Sequence, residues 1–85
     1  MAYHLKDIRK GILGRSSKIR EELEELEDAE DQGVTIMAHV ELSDVYGALE
    51  ACAGAYGLSM DDLKKMSDVT KRAFASGHRT AGPRR

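Results

Sequence analysis

At 85 residues the chain has room for one domain, and a domain of this size buries only about two thirds of the surface its unfolded form exposes. Its one cysteine, Cys52, excludes both an intramolecular disulfide and a cysteine-based zinc site, so oligomerisation is the expected source of extra stability. The net charge of -2 conceals a segregation: every Lys and Arg lies at or before Arg20 or at or after Lys64, and residues 21–62 hold thirteen acidic side chains. That distribution repels a nucleic-acid backbone and suits a site that gathers cations.

Aromatic residues make up 5% of the chain and Trp is absent, which disfavours a base-stacking platform. Lys6, Asp7, Arg9 and Lys10 interrupt the N-terminal segment where a signal peptide has its apolar stretch, and no run approaches eighteen apolar residues. The expectation is a soluble cytoplasmic protein with neither a nucleic-acid nor a membrane partner.

In chain order, Gly11 and Gly14 are expected to close a short first helix near Leu5–Lys10, with His4 in a fraying N-terminus. A second helix should begin after a Ser16 or Ser17 cap and end at Gly33. Ile19, Leu23 and Leu26 form its apolar stripe, and Lys18, Glu22 and Glu25 lie along the flank at i, i+4, i+7 spacing. A third helix is predicted from Thr35 to Tyr56, ended by Gly57. On it Met37, Glu41, Asp44, Ala48, Cys52 and Ala55 step by threes and fours along one strip. Ser59 and Asp62 read as a capping box opening a fourth helix toward Ser76, with Leu63, Met66, Thr70, Ala73 and Phe74 inward. No segment alternates with period two, and the only proline, Pro83, lies in the tail. The expected fold is all-α, a four-helix bundle over residues 1–79 with a flexible tail at 80–85.

The carboxylates carry the chemistry. An ionised carboxylate on an apolar strip costs several kcal/mol unless it is paired or bound to a metal, so Glu41 and Asp44 call for a cation. The short connection between the second and third helices makes them antiparallel neighbours, which brings Glu22 and Glu25 opposite Glu41 and Asp44. Oxygen donors without His or Cys suit Mg²⁺ or Mn²⁺ rather than zinc or copper. Glu24, Glu27, Asp28, Glu30 and Asp31 read as a solvated face. Cys52 reads as a small core residue, His39 as surface or interface, and His78 as too isolated to be a ligand.

The stretches "KIREELEELEDAEDQG" and "VELSDVYGALEA" resemble the MazG family of all-α nucleoside triphosphate pyrophosphohydrolases, relatives of the dimeric dUTPases. The family's EExxE is matched by Glu21, Glu22 and Glu25, and its ExxD by Glu41 and Asp44, with fifteen residues between Glu25 and Glu41. The resemblance runs from about Leu5 to Arg79. It implies Mg²⁺-dependent cleavage of a (d)NTP to the monophosphate and pyrophosphate, with Mn²⁺ as a substitute metal. Glu22, Glu25, Glu41 and Asp44 would be the ligands, and Glu21 would orient or deprotonate the attacking water.

The last helix is similar to that of short phage-encoded members, although the Asn many of them carry there has no counterpart. The likeness implies phosphate contacts from Lys65, Lys71, Arg72 and Arg79 with Lys18 near the metals, and Ile12 and Leu13 lining a base pocket. It also implies a homodimer or homotetramer acting on phage or bacterial nucleotide pools, with dGTP among the candidate substrates. The competing expectation is a non-catalytic helical module whose acidic strip docks a basic protein.

Overall fold

The computed structural model describes residues 4–76, with side chains described through Lys71. Three α-helices make up its regular structure: α1 (Ser16–Gln32), α2 (Thr35–Ala55) and α3 (Met60–Ser76). Among the described residues there is no strand, in agreement with the all-α expectation. The short helix expected near Leu5–Lys10 is replaced by a strap without helical structure, which reduces the expected four helices to three.

Two observations explain the strap. The Leu5 and Gly11 N–H groups donate to side chains of α1, to Asp28 Oδ2 at 3.0 Å and Glu21 Oε1 at 2.9 Å. Gly11 also passes so close to the first turn of α1 that a Cβ there would collide with the Ser17 carbonyl. The glycine permits close backbone approach. The chain then turns at Gly14, with φ 92°.

The start of α1 also departs from expectation. Arg15 occupies the N-cap position and makes no side-chain cap, and Ser17 Oγ instead accepts from the Ile12 N–H at 3.0 Å. Its end is as expected: Gly33 is left-handed at φ 72°, and the N–H groups of Gly33 and Val34 return to the carbonyls of Glu30 and Ala29. Gly57 has the same role after α2, at φ 79°. Ser59 and Asp62 form a reciprocal capping box, with bonds of 2.9 and 3.0 Å, and this fixes the start of α3.

The core differs most from the apolar pattern. α1 and α2 pack against each other, yet among the described residues the buried apolar ones are three alanines, Ala29, Ala48 and Ala53. The largest fully buried side chains are Glu41 and Asp28. On α1 the buried face carries Glu22 and Ala29, with Lys18 and Glu25 half-buried in the same stripe, while Leu23 of the expected apolar stripe is 44% exposed. Small side chains let the two helices approach, and the carboxylates fill the seam. On α3, Leu63 and Thr70 are half-buried, but Met66 is exposed; the side chains of Ala73 and Phe74 and the tail at 80–85 lie outside the described residues.

Candidate metal centre

The four carboxylates predicted to converge do so. Glu22 and Glu25 project from α1, Glu41 and Asp44 from α2, and one oxygen from each lies within 4.8 Å of every other. The spacing is the cause: positions i and i+3 on each helix stand about one turn apart on the same face, and the two-residue link Gly33–Val34 turns those faces toward each other. Glu41 is buried and Glu22 nearly so, Glu25 is half-buried, and Asp44 lies at the open edge.

Crowding like charges away from water raises their proton affinity. Burial, reinforced by Glu22 and Glu41, pushes the Glu25 carboxyl up to about 7. Desolvation beside Glu41 and Glu22 raises Asp44 as well. Such a set is stabilised by any cation that enters it.

Two cations from the chain itself border the centre. Lys18 Nζ lies 2.9 Å from Glu22 Oε2 and 3.2 Å from Glu21 Oε1; its hydrogen bond to Glu22, above all, holds its pKa up. From the other side comes His4. Its Nδ1 is 2.8 Å from Asp28 Oδ2, and its Nε2 is 3.1 Å from Glu41 Oε2 and 3.7 Å from Glu25 Oε1. Burial opposes charge on this ring, but the bond to Asp28 and the charges of Glu41 and Glu25 outweigh it and raise the His4 pKa. Each ring nitrogen thus faces a carboxylate oxygen.

Two expectations are corrected here. His4 does not fray: its side chain is 13% exposed and bridges α1 to α2. Asp28 is not part of a solvated face but 2% exposed. Burial opposes its charge, yet bonds from the His4 ring, the Leu5 N–H and the Gln32 amide hold its carboxyl below the usual range. The remaining signal in the sequence was position, since Asp28 follows Glu21 by two helical turns and shares its stripe. Glu27, Glu30 and Asp31 are exposed, as expected.

Glu21 is 3% exposed, and its oxygens are engaged by the Gly11 N–H, Lys18 and, at 3.7 Å, Lys10. The Gly11 bond, followed by Lys18, lowers its pKa despite burial. Glu21 thus ties the strap to α1.

An open cleft of about 470 Å³ adjoins the carboxylates, lined by Leu13, Lys18, Glu22, Ser43, Asp44 and Gly47 among others. Ile12 is 67% exposed and is not among the residues lining it. Lys65 pairs with Asp61 at 3.3 Å on the surface of α3, and Lys71 is exposed. The Arg72 side chain, His78 and Arg79 lie outside the described residues. His39 is exposed and Cys52 half-buried.

Comparison with protein-family models, curated proteins and solved structures finds no match to this chain. The resemblance to MazG enzymes therefore rests on the carboxylate pattern and its neighbouring residues alone.

Proposed function

We propose that this chain is a Mg²⁺-dependent nucleoside triphosphate pyrophosphohydrolase of the MazG type. The observation that supports it most is the convergence of Glu22, Glu25, Glu41 and Asp44, whose ligand oxygens lie within 4.8 Å of one another. Opposite oxygens around an octahedral Mg²⁺ stand about 4.2 Å apart, given bond lengths of about 2.1 Å. The donor set is all carboxylate, which favours Mg²⁺ or Mn²⁺ over softer metals.

Such a metal, when bound, neutralises phosphate charge and lowers the pKa of a coordinated water. The chain's own residues do the rest. Glu22, Glu25, Glu41 and Asp44 would hold that metal beside the cleft. Lys18, already between Glu21 and Glu22, turns toward the anionic substrate at the cleft's edge. Glu21 is better suited to holding Lys18 and the strap than to taking a proton, because Oε1 is already engaged by both and its pKa is lowered. Within one chain, described Lys65 and Lys71 stand on the surface of α3, so phosphate contacts from this helix would be made across a subunit interface in the proposed homodimer or homotetramer.

The test is pyrophosphate release from a panel of (d)NTPs, dGTP included, with Mg²⁺ present. Glu41→Gln and Asp44→Asn should each lower the rate by at least about a hundredfold, the loss of a ligand acting directly on the charge that stabilises the transition state. Wild-type rates in either variant would remove these residues from the site. A wild-type chain that releases no pyrophosphate, and whose melting is unmoved by Mg²⁺ or Mn²⁺, would instead fit the acidic docking module.

A further inference from the structure

We infer that His4 is the positioning residue of this carboxylate centre, its ring bridging Asp28 on α1 to Glu41 on α2 and so setting the Glu41 carboxylate in place for a cation. The inference rests on the metal centre proposed above. It starts from an asymmetry in that centre. Glu22 is held by Lys18 at 2.9 Å, and Asp44 is at the open edge; Glu41 is fully buried at the far side, where its carboxylate meets the strap.

The strap is built to deliver the ring. Leu5 N–H and His4 Nδ1 both donate to Asp28 Oδ2, at 3.0 and 2.8 Å, and Gln32 Nε2 adds a third bond at 2.9 Å. Asp28 is thus a fixed acceptor that determines how the imidazole is turned. With Nδ1 committed to Asp28, Nε2 can only face Glu41 Oε2 at 3.1 Å, with Glu25 Oε1 beyond at 3.7 Å. Gly11, pinned to Glu21, holds the other end of the strap. Carboxylate–imidazole pairs that orient a ligand are worth about ten- to a hundredfold in metal affinity.

Two substitutions separate positioning from anchoring. In His4→Asn the amide nitrogen stands where Nδ1 was and retains the bond to Asp28 without reaching Glu41. In His4→Gln it stands where Nε2 was and retains the bond to Glu41. The probe is Mn²⁺ alone, its dissociation constant read from the loss of the free-ion electron paramagnetic resonance signal, with circular dichroism recording that each variant is folded.

His4→Ala and His4→Asn should bind Mn²⁺ about ten- to a hundredfold more weakly than wild type, and His4→Gln within about threefold of it. Lys6→Ala, which removes an exposed strap contact to Asp31, should leave the affinity unchanged. Wild-type affinity in His4→Asn overturns the positioning role, and so does rescue by Asn in place of Gln, which would make the ring a tether for the strap only. A wild-type chain that binds no Mn²⁺ removes the metal centre itself and the inference with it, and that result is read before any variant is made.

Discussion

Glu21 and Glu25 are one helical turn apart, yet their surroundings give their charges opposite effects on stability. Glu21 Oε1 accepts from both the Gly11 N–H and Lys18 and its pKa is lowered, so its ionised form stabilises the fold. Glu25 has Glu22 and Glu41 beside it and a pKa pushed up to about 7, so in metal-free protein its ionised form destabilises. Glu21→Gln should therefore lower the unfolding free energy by about 1–3 kcal/mol. Glu25→Gln should raise it at pH 8, by an amount on the order of 1–3 kcal/mol, while abolishing stabilisation by Mn²⁺. Urea unfolding in EDTA, with and without excess metal, measures both. A loss of stability in Glu25→Gln would show that this carboxylate is held by partners rather than waiting for one.

The same groups set the pH dependence. The folded chain holds the Glu25 proton to higher pH than the unfolded chain does, so the cost of ionising it is absent below about 4.5, grows as pH rises, and is complete above about 7. His4 acts in the same direction: its raised pKa contributes stability that is fully present below the ordinary histidine value of 6.5 and is lost as pH rises through the higher folded value. In EDTA the melting temperature should fall as pH rises from about 4.5 through about 7. With saturating Mn²⁺ the trend should reverse, because ionised Glu25 is the form that binds. A flat profile in EDTA would mean that the carboxylates are better solvated than their burial implies.

At the scale of elements, the ends of helices were legible because their chemistry is local. Gly33, Gly57 and the Ser59–Asp62 box each act within a few residues and end up where the sequence puts them. The segment before α1 was misread for the complementary reason. Its glycines look like helix stops, but Gly11 is needed for contact with the Ser17 carbonyl, and the strap's partners Glu21 and Asp28 lie ten and more residues away. Gly11→Ala should force the strap off the first turn of α1 and cost about 1–3 kcal/mol. Hydrogen exchange at the Leu5 and Gly11 amides should then accelerate together; unchanged protection at Leu5 would show that the two ends of the strap are independent.

At the scale of the whole molecule, the buried apolar residues among those described are three alanines, a small core for one chain to rely on. The Cα radius of gyration is 15.1 Å, against about 12 Å for a compact chain of this length. α2 is apolar around most of its circumference, with Ile36 at 70%, Val40 at 47%, Leu42 at 54% and Tyr46 at 56% exposure, and Met66 and Val69 on α3 are each 57% exposed. A helix apolar on all sides belongs in an interior, and a second copy of the chain can supply one. Light scattering should give two or four times the 9.4 kDa of one chain. Leu42→Glu should shift the mass toward one chain and lower the melting temperature. A folded monomer at micromolar concentration would show that the exposed apolar face is stable in water.

The sequence by itself determined the all-α class, the stops at Gly33 and Gly57, the start of α3 and the meeting of Glu22 and Glu25 with Glu41 and Asp44. Helix periodicity and a short turn are enough to place side chains three and four residues apart on facing surfaces. Only the tertiary structure decided that Asp28 is buried, that Glu21 is a tether, and that His4 closes the far side of the carboxylate seam. Those facts depend on a segment without periodic structure folding back across more than twenty residues onto α1, and no local pattern records where such a segment lands.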